Sequence, residues 1–109
     1  MLNDSPTAEA IWEALPLKAR AQTWGDEIYF MIPVHCVLDD SARDVVDKGD
    51  LGYWPSGPAF CIFFGPTPAS SGDEIRPASA VNVFGRVAGD LSALTKISAG
   101  SELLVEKAP

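Results

Sequence analysis

Cysteine is scarce in this 109-residue chain, at 2 residues, and histidine scarcer, at 1. Two cysteines do not make a disulfide framework, and Cys36 and Cys61 each sit in an apolar, strand-like run. They read as reduced, buried thiols. Redox or nucleophilic use needs a base or a positive neighbour to lower the thiol pKa. Cys36 has only His35 beside it, and adjacent strand residues point to opposite faces. For the same reason His35 and Cys36 cannot converge on a metal, which needs three or four ligands at matched spacing. No metal and no cofactor are expected. Lysine and arginine total 8 against 15 aspartates and glutamates, a formal charge of −7. Basic residues so few and scattered exclude a phosphate-binding surface, hence a nucleic-acid partner. Long apolar runs are missing too. The most apolar stretch, Ala59 to Gly65, is far short of the ~20 residues of a membrane span, so no membrane partner is expected. The opening Met1-Leu2-Asn3-Asp4-Ser5-Pro6 has no basic segment leading into an apolar run, and the protein is expected in the cytoplasm.

Apolar residues, at 47%, suffice for a core within one domain, taken as residues 1–109. Ser5 caps a helix with Pro6 at its first position. Ala8, Ile11, Trp12 and Leu15 follow at helical spacing, and Pro16 ends the run. Leu17 to Thr23 alternates with period two, the mark of a half-buried strand. Trp24-Gly25-Asp26 turns the chain into a returning strand, Glu27 to Val34, weakened by Pro33. Residues 39–46 allow a helical turn or a loop. Leu51 to Trp54, Phe60 to Phe64, Ala80 to Val87 and Ser101 to Glu106 read as further strands. Asp90 caps a short helix carrying Leu91 and Leu94 inward. The Gly65–Ala78 connection, with three prolines, is longer than usual for an ordered loop, and such loops often serve function. The result is a mostly-β domain of barrel or sandwich type with two short helices.

Candidate chemistry is sparse. Glu27 serves as a general base where it is buried beside Trp24 and Trp54, since desolvation raises a carboxylate pKa. The plainer reading has Asp26, Glu27 and Tyr29 as turn and rim residues. Trp54 and Phe63 or Phe64 offer an aromatic pocket wall, against a plain core role for either phenylalanine. Arg76 is suited to grip a carboxylate, and Ser79 and Asn82 place donors near the loop wall; satisfying loop carbonyls is an equal alternative for them. The Gly65-Pro66-Thr67-Pro68 loop lacks the lysine and following helix of a phosphate cradle. No Gly-x-Ser-x-Gly, dinucleotide fingerprint or paired-cysteine motif occurs.

Three stretches in combination resemble the cyclophilin-like family of small bacterial and archaeal proteins of unknown function. They are Trp24-Gly25-Asp26-Glu27-Ile28-Tyr29-Phe30; Gly49-Asp50-Leu51-Gly52-Tyr53-Trp54-Pro55 running into Phe63-Phe64-Gly65-Pro66-Thr67-Pro68; and Ile75-Arg76-Pro77-Ala78-Ser79-Ala80-Val81-Asn82. The resemblance implies a closed or partly open β-barrel with a helix at each end, and no known activity. Relatives carry about two strands before the first helix, where this chain has only Met1 to Asp4. A start site placed too far downstream, or a homodimer covering an open sheet edge, would account for this. The order of Thr7-Ala8-Glu9, Gly57-Pro58, Phe63-Phe64 and Val83-Phe84-Gly85-Arg86-Val87 is similar to that of true cyclophilins. Their prolyl isomerase activity uses an arginine; laying Ile32-Pro33 on the matching Ile-Pro puts Phe30 in its place, and the floor histidine falls near Val81. Lowering the ~20 kcal/mol barrier to X-Pro rotation needs a donor aimed at the proline nitrogen. The expectation is a module binding a small molecule or peptide through Trp24, Glu27, Tyr29, Trp54, Phe63, Phe64, Arg76, Ser79 and Asn82. The alternatives are a weak prolyl isomerase or other enzyme using Glu27, and a partner-binding role through an open edge.

Overall fold

A computed structural model describes residues 2–107. Helix α1 spans Pro6–Ala14. The Ser5 hydroxyl accepts from the Ala8 N–H at 3.1 Å, and Pro6 fills the first turn, where its missing N–H costs nothing. The helix buries Thr7, Ala8 and Ile11. Trp12, expected inward, is 42% exposed, with the Lys107 ammonium 5.2 Å from its ring centre. Thr7 takes the inward place instead, because a polar network receives its hydroxyl.

The strands are β1 (Leu17–Arg20), β2 (Gln22–Thr23), β3 (Glu27–Met31), β4 (Ala42–Arg43), β5 (Asp50–Trp54), β6 (Ala59–Phe63), β7 (Val81–Arg86) and β8 (Glu102–Val105). All pairings are antiparallel. Six strands form one sheet in the order β2-β3-β6-β5-β7-β4, while β1 and β8 form a separate pair. The expected Leu17–Thr23 strand is therefore divided. Its first half pairs β8, and the ladder runs on to Ala21, whose N–H donates to Ser101 O and whose carbonyl accepts from Gly100 N–H. Only then does it pair β3. Residues 42–43, inside the segment expected as helical turn or loop, add a short strand beside β7.

Two expectations are corrected. The sheets are not closed into a barrel, because β4 and β8 lie at sheet edges with no described strand joining them. And among the described residues only α1 is an α-helix; Ser92–Lys96 forms a 3₁₀ turn with no side-chain cap, so Asp90 instead bonds Ser92 through backbone and hydroxyl.

Period-two alternation sorts the large sheet into two faces. One face carries Phe30, Tyr53, Phe60 and Phe84, which join Ala8 and Ile11 of α1 in the main core. Phe30 stacks on Phe60 at 4.8 Å, and Phe84 meets Phe60 edge-on at 5.0 Å. The opposite face carries Ala59, Cys61, Phe63 and Val81, packed with Val46 and Ile75. A third cluster, Ala21, Ile28 and Phe64, sits under Leu91, Leu94 and Ile97 of the 3₁₀ region.

Candidate functional site

The second face opens into a cleft of about 300 Å³, lined by Trp24, Glu27, Tyr29, Trp54, Cys61, Phe63, Pro77, Ala78 and Val81. Register explains the grouping. Glu27 pairs Phe63 and Tyr29 pairs Cys61 across β3 and β6, while Trp54 of β5 pairs Ala59. All these side chains share the parity of the cleft face. Gly52, opposite Cys61, is what lets the floor close. A Cβ there would stand 2.8 Å from Val81 Cγ2 and 2.9 Å from Phe63 Cε2.

Trp54 is half-buried and held at both ends. Its indole Nε1–H donates to Ser79 Oγ at 2.7 Å. Its ring lies against Gly57, where a Cβ would come within 2.6 Å of Cε3 and Cζ3. The 65–80 segment that supplies Pro77, Ala78 and Ser79 is internally tied. Thr67, 6% exposed, donates its hydroxyl to Arg76 O, and the Arg76 N–H donates to Ser70 Oγ at 3.2 Å. Ile75 bridges to Val46. The expected proline-stiffened wall is thus also a hydrogen-bonded one.

Among the described residues Glu27 is the only charged side chain lining the cleft, and it is 6% exposed. Burial pushes its carboxyl up from 4.5 to about 7, opposed by a hydrogen bond with the Cys61 thiol. Burial first, then the Glu27 charge, pushes the Cys61 thiol well above its usual range. Cys61 is therefore a neutral hydrogen-bonding group and not a nucleophile. Both cysteines are free, and Cys36 is half-buried away from the cleft.

The structure divides the sequence candidates. It brings Trp24, Glu27, Tyr29, Trp54 and Phe63 to one cleft, with Ser79 bonding a tryptophan at its rim. Phe64, one residue past β6, falls on the other side and packs on Ala21 and Ile28. Arg76 does not line the cleft; its guanidinium lies 3.4 Å from the Glu74 carboxylate. Glu74 is itself held down at about 2, chiefly by the Ser71 N–H. Asn82 faces the main core, fully buried. Its amide donates to Thr7 Oγ1 and to Val37 O and accepts from the Asp39 N–H, each at 2.9 Å. Phe30, laid over the isomerase arginine by sequence, also belongs to the core face, so the cleft positions of β3 are Glu27 and Tyr29. Cys61, Pro77, Ala78 and Val81 were not among the expected lining. Strand parity with Phe63 is the signal that reaches Cys61; nothing local to 77–81 signals its fold back over β5.

A model of the cyclophilin-like family matches residues 1–106. The chain belongs to the cyclophilin-like family. It is similar to a hypothetical protein from Archaeoglobus fulgidus, known from a solution structure, with 46% sequence identity and a TM-score of 0.79. The match covers 95% of this chain and 79% of the other. No curated protein matches the chain. Within the cyclophilin-like family, then, this member presents an aromatic cleft with one buried carboxyl and, among the described residues, no arginine, lysine or histidine in its lining. No described helix is long and apolar enough to cross a membrane.

Proposed function

We propose that the protein is a binding module that takes a small molecule or peptide segment into the Trp24–Glu27–Tyr29–Trp54–Phe63 cleft and does not catalyse prolyl isomerisation. One observation carries the reading: aromatic side chains and one buried carboxyl line the same cleft, the usual make-up of a ligand pocket. The argument against isomerase chemistry is electrostatic. Easing rotation about an X-Pro bond needs a positive donor aimed at the amide nitrogen, and the lining offers no cationic side chain. A cytoplasmic setting is part of the proposal and rests on the two unpaired cysteines.

The test is a protease-coupled prolyl isomerisation assay beside a thermal-shift screen of a metabolite library. The reading expects isomerisation at background and at least one compound raising Tm, since a ligand of the native state stabilises by RT ln(1 + [L]/Kd). Turnover well above background, lost in Phe63→Ala, would overturn it. A second reading, an acid–base enzyme, has one observation in its favour: a carboxyl titrating at about 7 is poised to exchange protons near neutral pH. Glu27→Gln separates the two, abolishing turnover under the second reading.

A further inference from the structure

The cleft's chemistry narrows the class of guest. Trp24, Tyr29 and Trp54 line the cleft with Phe63, fully buried, at its floor, and among the described residues its one carboxyl is that of Glu27. A carboxylate 6% exposed among apolar groups loses most of its hydration, and a thiol returns little of it. Neither β5, β6, the Trp24 turn nor residues 77–81 place a basic side chain in the lining, so no described residue neutralises this carboxylate there. An anionic guest would meet like charge in a poorly hydrated space. A neutral guest would leave the carboxylate unneutralised. A guest with a positive nitrogen neutralises it, and an aromatic ring over which that cation can sit attracts it too. The chain's net charge of −7 adds to that preference.

We propose that the cleft takes an organic ammonium ion, its nitrogen against the Glu27 carboxylate and its apolar body between the rings of Trp24, Trp54 and Phe63. The proposal rests on the binding reading above and names the ligand class for the same site. The volume of about 300 Å³ suits a small amine, being at the bottom of the usual ~300–1,000 Å³ pocket range.

Only the ionised carboxylate makes this pair, so affinity falls as Glu27 takes up its proton. The titratable groups sharing the lining are the Cys61 thiol of β6, held neutral, and the Tyr29 phenol, whose hydroxyl lies 3.2 Å from Gln22 Oε1. With the carboxyl at about 7, affinity for a permanently charged amine is expected to weaken about tenfold from pH 8 to pH 6.

The experiment compares benzylammonium, benzyl alcohol and benzoate, three probes of one shape and three charges. Titration calorimetry gives affinities, and the NMR signals of the Trp24 and Trp54 indole N–H groups report where each binds. Benzylammonium is expected to bind at least about tenfold more tightly than benzyl alcohol, the factor a partly desolvated cation contact supplies. Benzoate is expected to bind weakest. The preference is expected to shrink at pH 6 and to vanish in Glu27→Gln. Benzyl alcohol or benzoate shifting those indole signals with equal or better affinity would overturn the amine assignment and leave the pocket standing. If none of the three moves either indole signal, the binding reading falls with it. The wild-type comparison needs no variant to fold.

Discussion

With its carboxyl pushed up to about 7, Glu27 holds a proton in the folded chain over a range where the unfolded chain, at 4.5, has released it. Below pH 4.5 both states are protonated, and burial costs nothing. Between 4.5 and 7 the folded state binds more protons, so stability falls as pH rises. Above 7 the full cost of a buried charge is present, on the order of 3 kcal/mol. Glu27→Gln removes that cost and keeps the shape. Denaturant unfolding is expected to show the variant more stable by about 1–3 kcal/mol at pH 8 and nearly unchanged at pH 4. An equal difference at both pH values would mean that the carboxyl is well solvated. Asn82 makes the opposite case. Asn82→Ala strips partners from Thr7, Val37 and the Asp39 N–H at once, and is expected to cost about 3 kcal/mol. Because Asn82 faces away from the cleft, probe affinity at pH 8 should hold; a loss of affinity larger than the loss of stability would place it in the site. Residue type made both positions visible in the sequence, but not their sides. Parity was the missing step: with Val81 and Phe84 both apolar in one strand, only pairing partners decide that Val81 lines the cleft and Asn82 joins Thr7.

At the scale of elements, the sequence is most legible where one local rule acts alone. Ser5-Pro6 and Pro16 bound α1, and β5, β6 and β7 lie within a residue or so of where apolar runs and turn residues put them. β3 stops at Met31, short of the expected Val34; the Ile32 N–H still donates to Pro58 O in register with β6, and Pro33, which has no N–H, follows it. Legibility fails where a partner far in sequence decides. The split of Leu17–Thr23 needs β8, and the strand at 42–43 needs β7. The cleft wall is also such a case, since the 65–80 segment reads only as a stiff loop until Trp54 is seen bonded to Ser79. The Pro55–Pro58 turn carries a testable consequence. Gly57 is tolerated because Trp54 lies on it, not because its backbone demands glycine. Gly57→Ala is expected to push the indole aside, shifting its NMR signal and weakening probe binding several-fold, with a loss of about 1–2 kcal/mol from the displaced contact. Gly72→Ala, whose nearest neighbour is a Glu74 oxygen at 3.6 Å, is the control. An unmoved Trp54 signal in Gly57→Ala would show that the turn gives way and the indole does not.

Closure is the property of the whole molecule that the sequence did not disclose, because it depends on which edges meet after every pairing is made. The β7 edge beyond β4 is occupied from within the chain. Leu2 bridges Gly85, the Asn3 N–H donates to Phe84 O at 2.9 Å, and the Asn3 side-chain amide donates to Val83 O at 2.7 Å. Further along, the Val83 N–H donates to Ser41 O, and β4 takes the rest. Leu2 and Asn3 thus do part of the work of a strand. Another sheet edge, β8, is short and carries Glu102, paired with Arg20, at one end and Glu106-Lys107 beyond the other. Short strands and flanking charges discourage edge-to-edge pairing. The expectation of a homodimer across an open edge therefore turns on the Leu2–Asn3 cap. Native mass spectrometry is expected to show the full chain as a monomer at micromolar concentration and a chain lacking residues 1–4 as a mixture with dimer. A dimer of the full chain that survives Asn3→Pro would move the interface away from this cap to another sheet edge, such as β8, whose Leu104 is 54% exposed.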